Sequence, residues 1–319
     1  MKPFRFDYKT EHGGKTRRSE YIDFSISINP YQPEWIKKVF EEGAKNSAEY
    51  TYYDKLEEQL ASLVGEELTV TAGATEAIYL TGTLLFLKDR KVVLPEPAYS
   101  EYERVARMFG ARISKCRTLE EMVEEVEKER DSVAFFCNPN NPDGKYHPPD
   151  RLRPLIDAVE DTESILVLDE AFMDFVKNFS SPESDNIVKL RTFTKSYGVP
   201  GVRVGYVMGF PEEFRRVRMP WSIGSIGQAF LKKVVEDEFE FLRETMPRIW
   251  KEKDRMEREL GVSSDANFFL MKSENKTIDH LKSEGIVVRD CASMGLNGYI
   301  RFSVRKPEEN SRLIKALNG

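Results

Sequence analysis

The chain has 319 residues, of which 40% are hydrophobic and 32% charged, and its net charge is −6. The negative charge disfavours a nucleic-acid partner, and no apolar run approaches the roughly 18 residues that a membrane-spanning helix needs. The three cysteines, Cys116, Cys137 and Cys291, are widely spaced, which favours a reducing, cytoplasmic compartment over a disulfide framework or a metal cluster.

The middle of the chain alternates short apolar runs with helical patterns. Candidate strands lie at 68–72, 91–94, 132–137, 164–168 and 187–193. Apolar residues at helical spacing, such as Leu119, Met122 and Val126, mark the stretches between them. Strands that alternate with helices in this way predict an α/β fold in which parallel strands are joined by crossover helices.

The pattern changes after Pro211. A long charged helix over about 226–260 is followed by a strand at 268–271, a helix at 277–284, strands at 286–289 and 299–304, and a last helix. These elements predict a smaller α+β unit, since 319 residues exceed the size at which a single hydrophobic core usually stops growing. We expect an N-terminal arm at 1–40 that contributes to this unit, a large domain at 41–212 and a small domain at 213–319.

Chemically specific residues follow the first three predicted strands. Ligands of such sheets bind at the carboxyl ends of the strands, so these junctions are where a site is expected. Gly73-Ala74-Thr75 opens a helix whose free N–H groups can hold a phosphate. Tyr99 can stack on a planar cofactor, with a packed core tyrosine as the alternative. Asn141 stands in a rigid turn that presents an amide donor.

The fourth and fifth junctions carry charged groups. Asp169 ends a buried strand, and a buried carboxylate needs a cation, for which a protonated pyridine nitrogen would serve. Thr192 and Thr194 precede Lys195, and Arg203 follows it by eight residues. A lysine in that setting suits an amine that condenses with an aldehyde while hydroxyl and guanidinium groups bind a phosphate. Together the five junctions supply what one cofactor, pyridoxal 5'-phosphate (PLP), requires.

With these motifs in this order, the chain from about residue 12 to its end resembles the fold type I PLP enzymes, and within them the histidinol-phosphate aminotransferase branch of the class I/II aminotransferases. The resemblance implies a large domain with a mainly parallel seven-stranded sheet and a smaller α+β C-terminal domain. It implies that Lys195 carries PLP as a Schiff base and Asp169 pairs with the ring nitrogen. The other implied cofactor ligands are Gly73, Ala74, Thr75, Tyr99, Asn141, Thr192, Thr194 and Arg203.

The resemblance also implies a homodimer with shared active sites. A tyrosine of the 50–53 segment would reach the partner subunit's cofactor phosphate, and Tyr53 is the candidate, with Tyr50 and Tyr52 as the alternatives.

Four stretches resemble a particular branch, the L-threonine-O-3-phosphate decarboxylases, which make the aminopropanol phosphate of cobalamin synthesis. They are 12–14, 23–30, 169–175, and the pair 288–291 with 299–305. Phe172 stands where histidinol-phosphate aminotransferases usually carry a tyrosine. This resemblance implies decarboxylation of threonine phosphate, with substrate held by His12, Asn29, Arg289 and Arg301. The alternative is an aminotransferase for histidinol phosphate and 2-oxoglutarate, or for a related amino acid.

Two other classes of protein agree less well with the sequence. Gly14-Lys15-Thr16 together with 166–170 mimics the nucleotide motifs of a P-loop ATPase, but Lys9 stands where that loop requires glycine. A non-catalytic regulatory protein would have little reason to retain both Lys195 and Asp169. The sequence therefore predicts a PLP-dependent enzyme for a small phosphorylated amino acid or amino alcohol, with no metal, nucleic-acid or membrane partner.

Overall fold

The computed structural model describes residues 6, 8, 10, 12–14, 21–85, 89–274 and 276–319. Lys9, Lys15 and Thr16, on which the P-loop alternative depends, lie outside them. The strands are β1 Ile22–Asp23, β2 Leu68–Thr71, β3 Lys91–Pro95, β4 Arg112–Cys116, β5 Val133–Cys137, β6 Ile165–Asp169, β7 Ile187–Thr192, β8 Gly205–Met208, β9 Phe268–Lys272, β10 Ile286–Val287, β11 Arg289–Asp290 and β12 Tyr299–Ser303.

The helices lie between these strands and at the end of the chain. They are α1 Ile36–Lys45, α2 Asp54–Val64, α3 Ala74–Leu85, α4 Ser100–Met108, α5 Leu119–Glu127, α6 Pro149–Asp161, α7 Phe193–Ser196, α8 Pro211–Val217, α9 Ser225–Asp237, α10 Glu240–Leu260, α11 Thr277–Ser283 and α12 Pro307–Asn318. In the described parts of the chain, no helix combines the length and the apolarity needed to cross a bilayer.

A seven-stranded sheet in the order β2-β8-β7-β6-β5-β3-β4 forms the centre of the molecule. Its neighbours pair in parallel except around β8, which runs antiparallel to β2 and β7. The predicted α/β class with a mainly parallel seven-stranded sheet is confirmed. The apolar-run pattern missed β4 because only Cys116 of this edge strand is buried, so the strand has no continuous apolar run.

The sheet is covered on both faces, which explains the apolar character of its central strands. Successive side chains of β5 point to opposite faces, so Phe135 packs with Tyr102 of α4, whereas Phe136 packs with Leu152 of α6. All five residues of β5 are buried. Such two-sided burial is why this strand is a continuous apolar run in the sequence.

The smaller unit contains the antiparallel sheet β11-β12-β9 and the parallel pair β1-β10. Ile22 pairs with Ile286, so the N-terminal segment joins this unit. The domain limits at residues 40 and 212 stay a prediction. Helix α9 belongs to a core cluster that includes α1 and β8, whereas α10 packs on the small sheet.

The single helix predicted over 226–260 is wrong. Two helices, α9 and α10, are separated by Glu238 and Phe239, whose φ angles are 47° and 63°. Two successive residues in the left-handed region end a helix. No glycine or proline stands at the break, so the sequence carried no signal for it.

Candidate active site

A cavity of about 250 Å³ opens where the strands of the large sheet end. The predicted cofactor ligands that line it are Ala74, Thr75, Tyr99, Asn141, Asp169, Thr192, Thr194, Lys195 and Arg203. The predicted substrate residues that line it are His12, Arg289 and Arg301. Gly73, Tyr53 and Asn29 are not among the residues that line the cavity. The fold thus brings residues from both ends of the chain, such as His12 and Arg301, to one cavity.

One end of the cavity gathers donors suited to a phosphate. Helix α3 begins at Ala74, and its first N–H groups and dipole favour an anion. The hydroxyls of Thr192 and Thr194 lie 2.9 Å apart at the end of β7. The guanidinium of Arg203 lies across Gly73, where a Cβ atom would approach Nη2 to 2.8 Å. Gly73, with φ of 81°, therefore contributes by leaving room for the arginine.

Lys195 lies in the short helix α7, directly after the central strand β7. The backbone N–H of Thr194 donates to Thr192 Oγ1 at 3.2 Å, which caps this turn. Burial lowers the pKa of Lys195 to about 8, helped by the positive charges of Arg301 and Arg203 and opposed by Asp169. The amine is therefore closer to neutrality than an ordinary lysine, as a nucleophile or base must be.

The carboxylate of Asp169, which also lines the cavity, is held by two donors. The backbone N–H of Ala171 donates to Oδ1 at 3.0 Å, and the hydroxyl of Tyr102 donates to Oδ2 at 2.5 Å. Burial raises the pKa of Asp169, while both hydrogen bonds and the charge of Lys195 lower it. Tyr102 was missed by the sequence analysis, although it follows Tyr99 by one helical turn on α4.

Arg301, a predicted substrate residue, is hydrogen-bonded to Asn141, a predicted cofactor ligand. Its Nη1 donates to Asn141 Oδ1 at 2.5 Å, and its Nη2 donates to the carbonyl of Ser25 at 3.1 Å. This orientation leaves the amide N–H groups of Asn141 to act as donors toward a ligand. Arg301 Nε and the buried hydroxyl of Ser27 have no hydrogen-bond partner among the described residues. Both are therefore available to a ligand.

His12 lies at the cavity mouth through a contact that the sequence did not predict. Its Nε2 is 3.1 Å from Oε1 of Glu101, a carboxylate whose side chain is 3% exposed. Tyr79 donates to Oε2 of Glu101 at 2.9 Å, and Arg104 does so at 3.3 Å. Burial raises the pKa of Glu101, but hydrogen bonds from His12, Thr10 and Tyr79 outweigh it and lower the pKa to about 2. Glu101 is thus an ionised anchor for His12.

Asn29 has its hydrogen-bonding groups engaged away from the cavity. Its amide donates to the carbonyl of Ser196 at 2.8 Å and to Thr245 Oγ1 at 2.9 Å. Its Oδ1 accepts from the N–H of Tyr31 at 2.9 Å. These contacts support the loop after Lys195 and leave no amide N–H for a substrate.

The three candidate tyrosines differ sharply in exposure. Tyr53 is 5% exposed, and the guanidinium of Arg218 lies 5.0 Å from its ring centroid. Tyr50 and Tyr52 are each 69% exposed. Tyr53 is therefore packed inside the chain, whereas Tyr50 and Tyr52 are open at its surface. Which of the three would reach a partner subunit stays a prediction.

The residues in this cavity fit a PLP site. The phosphate donors, the lysine amine and the buried carboxylate match the phosphate, the aldehyde and the ring nitrogen of that cofactor. The fold and the site therefore define a fold type I PLP enzyme. The chain belongs to the aminotransferase class I and II family, whose sequence pattern matches residues 19–317 and whose enzymes depend on PLP. The predicted family and cofactor are confirmed.

Relatives within the family carry two different names. The chain is 31% identical to histidinol-phosphate aminotransferase 2 of Archaeoglobus fulgidus, over 93% of this chain and 92% of that protein. It is 29% identical to a Caldanaerobacter subterraneus protein provisionally named threonine-phosphate decarboxylase, over 100% of this chain and 94% of that protein. Among solved structures, histidinol-phosphate aminotransferase from Clostridium acetobutylicum has a TM-score of 0.83 at 26% identity, over 93% of this chain and 98% of that one.

Proposed function

We propose that this chain is an aminotransferase for a small phosphorylated amine, with histidinol phosphate and 2-oxoglutarate as the first substrates to test. The observation that carries the proposal is that Arg289 and Arg301 line the same cavity as Lys195 and Asp169. Two arginines beside the reactive amine suit substrates with a phosphate or a carboxylate. Relatives named histidinol-phosphate aminotransferase are also more frequent than those named decarboxylase, which supports transamination over the reaction that the sequence favoured.

The cofactor side of the cavity would bind and polarise PLP. Thr192, Thr194, Arg203 and the start of α3 would hold its phosphate, and Tyr99 would lie against its ring. Asp169 would stabilise a proton on the ring nitrogen through a charge-assisted hydrogen bond. When bound, the cofactor supplies an electron-withdrawing ring that stabilises negative charge on the substrate's Cα atom.

The remaining residues would orient the substrate and move its proton. Arg301 presents a free Nε toward a phosphate or carboxylate, and its other nitrogens are fixed by Asn141 and Ser25. Lys195, with its pKa lowered by burial to about 8, can accept a proton from Cα and return it. Phe172 is 6% exposed, and its ring centroid lies 5.5 Å from Nζ, so this apolar ring would reduce the access of water to the amine.

Decarboxylation of L-threonine-O-3-phosphate, a step of cobalamin synthesis, is the second candidate. Phe172 favours this reaction, because histidinol-phosphate aminotransferases usually carry a tyrosine at this position. In this chain the ring beside Lys195 has no hydroxyl. The similarity to the protein provisionally named threonine-phosphate decarboxylase also covers the whole chain.

The two reactions give different products from different substrates. One sample receives histidinol phosphate with 2-oxoglutarate, and another receives threonine phosphate labelled in its carboxyl group. We expect glutamate from the first sample and no labelled CO2 from the second. Labelled CO2 without glutamate would reject the aminotransferase and establish the decarboxylase. Phe172→Tyr, which restores the hydroxyl, should then slow CO2 release.

A homodimer is part of the proposal. Tyr50 stacks on Trp221 with ring centroids 4.3 Å apart, and both are exposed, as are Tyr52 and Met219. Clustered exposed aromatic and methionine side chains are typical of protein interfaces. Light scattering after gel filtration should give twice the chain mass, and Tyr50→Ser with Trp221→Ser should lower it. Cytoplasmic placement is likewise proposed, because all three cysteines are free thiols.

A further inference from the structure

Tyr102 is packed between aromatic rings, and its hydroxyl is hydrogen-bonded to the carboxylate of Asp169. Its ring is stacked on Phe135 with centroids 4.8 Å apart and meets the edge of Tyr99 at 5.6 Å. The side chain is 0% exposed. The hydroxyl donates to Asp169 Oδ2 at 2.5 Å. Because its ring cannot shift easily within such packing, Tyr102 can impose an orientation on the carboxylate.

The carboxylate needs this support because of where it lies. Asp169 is 4% exposed, and burial favours the neutral acid, which cannot stabilise a cation. Its donors among the described residues are the N–H of Ala171 on Oδ1 and the hydroxyl of Tyr102 on Oδ2. A hydrogen bond to the ionised form stabilises the anion. Without the hydroxyl, one oxygen would lose its protein donor.

We propose that Tyr102 is a positioning residue of the cofactor site, whose hydroxyl keeps Asp169 ionised and fixes the carboxylate for contact with the ring nitrogen. The inference rests on the cofactor role of Asp169 in the proposed function. Tyr102 acts through Asp169 and sets how strongly that carboxylate competes with the ring nitrogen for a proton. When the carboxylate of Asp169 binds the proton less strongly, the proton stays on the ring nitrogen, where it increases the electron withdrawal of the ring.

Tyr197 offers a matched control. It is also 0% exposed and packed among aromatic rings, 5.5 Å from Phe230 and 5.1 Å from Phe241. Its buried hydroxyl, however, has no hydrogen-bond partner among the described residues. Tyr197→Phe therefore removes a hydroxyl from a similar environment without removing a hydrogen bond.

The experiment compares Tyr102→Phe, Tyr197→Phe and the unchanged full-length chain, each loaded with PLP and without substrate. We expect Tyr102→Phe to bind PLP up to about tenfold more weakly, because the hydrogen bond to Asp169 exists without PLP and only its strengthening beside the protonated ring is lost. The pH midpoint of the visible band of the bound cofactor should move upward, because the proton shifts from the ring toward the carboxylate. Tyr197→Phe should match the unchanged chain. Equal changes in both variants, or none in Tyr102→Phe, would overturn the inference.

A double-mutant cycle with Asp169→Asn excludes a merely structural effect. The effect of Tyr102→Phe on PLP affinity should vanish when residue 169 is already an amide, and a persistent effect would contradict action through Asp169. If Tyr102→Phe does not fold, fluorotyrosine at position 102 keeps the packing and strengthens the donor. The midpoint should then move downward, and an unchanged midpoint would overturn the inference. A chain that binds PLP but fails to transaminate would reject the proposed function alone.

Discussion

The two sides of the cavity are built differently. The cofactor side consists of residues that follow strands of the large sheet, including Thr75 after β2, Asp169 at the end of β6 and Lys195 after β7. The substrate side combines the N-terminal segment with the small unit, where His12, Ser27 and Arg301 come from opposite ends of the chain. One side is thus set by the register of a single sheet, and the other by the packing of separate segments.

The two sides also differ in how completely their polar groups are engaged. On the cofactor side, Asp169, Thr192 and Thr194 hydrogen-bond to neighbours in the same sheet or its helices. On the substrate side, the hydroxyl of Ser27 and Nε of Arg301 are buried without partners among the described residues. Ser27 and Arg301 also line the cavity, so a ligand bound there could satisfy these atoms. We therefore expect the fold to determine which cofactor binds and the residues of the substrate side to determine which reaction follows.

The largest effect is expected on the cofactor side, from Asp169→Asn. The amide cannot stabilise a protonated ring nitrogen, and a hydrogen bond to a charged group contributes about 1.5–3 kcal/mol, or roughly 10- to 100-fold in rate. The variant should still bind PLP, and kcat from steady-state assays should fall by that factor. Asp174→Asn, at a carboxylate outside the cavity, should retain activity. Near-normal turnover in Asp169→Asn would leave Asp169 with a structural role only.

A separate effect is expected on the substrate side, from Arg301→Lys. A lysine keeps the charge, but its donors lie on a single nitrogen and cannot reach Asn141, Ser25 and a ligand in the directions that the planar guanidinium provides. KM for the phosphorylated substrate should rise by about 10-fold, as expected for losing a charge-assisted hydrogen bond. Arg305→Lys is the control, because Arg305 does not line the cavity. If KM changes equally in both variants, Arg301 is not a specific substrate ligand.

Cofactor loading should depend on pH through Lys195. Burial lowers the pKa of this amine to about 8, so it is protonated and unreactive below that pH and neutral above it. The rate of PLP association with the apo chain should therefore rise with pH, by up to tenfold per unit, and level off above about 8. Stopped-flow absorbance can follow it. A rate that still rises steeply above pH 9 would mean an ordinary lysine.

The smallest effect is expected from Glu101→Gln. The glutamine keeps the shape but loses the charge that anchors His12, whose side chain is 47% exposed and therefore weakly held. KM should rise by about two- to threefold with kcat unchanged, as expected for losing roughly 0.5 kcal/mol from a contact with a half-exposed side chain. Glu96→Gln is a control on a carboxylate that pairs with Lys115 instead. A fall in kcat with constant KM would contradict a role restricted to substrate binding.

The cofactor side could be predicted because its residues directly follow strands that are recognisable in the sequence. Lys195 and Asp169 follow apolar runs, and parallel strands bring such positions to one edge. Tyr102 and Glu101 could not be recognised in the same way. Both belong to an ordinary amphipathic helix, and only the packing of α4 shows that one contacts Asp169 and the other His12.

The surroundings of Asn29 and of the three tyrosines could not be predicted, because exposure and pairing are tertiary properties. Tyr50, Tyr52 and Tyr53 are indistinguishable in the sequence, yet only Tyr53 is buried. Asn29 has the residue type of a ligand, but its amide is used by the loop after Lys195. No periodicity or spacing in the sequence separates these cases.

The most direct test of the whole assignment is borohydride reduction of the chain loaded with PLP, followed by peptide mass spectrometry. The visible band should bleach, and the cofactor should be fixed to Lys195, which lines the cavity together with Asp169 and Arg203. Lys195→Ala should show no fixation. A label on another lysine, such as Lys189 on the preceding strand β7, or a chain that gains no visible band with PLP, would contradict the assignment.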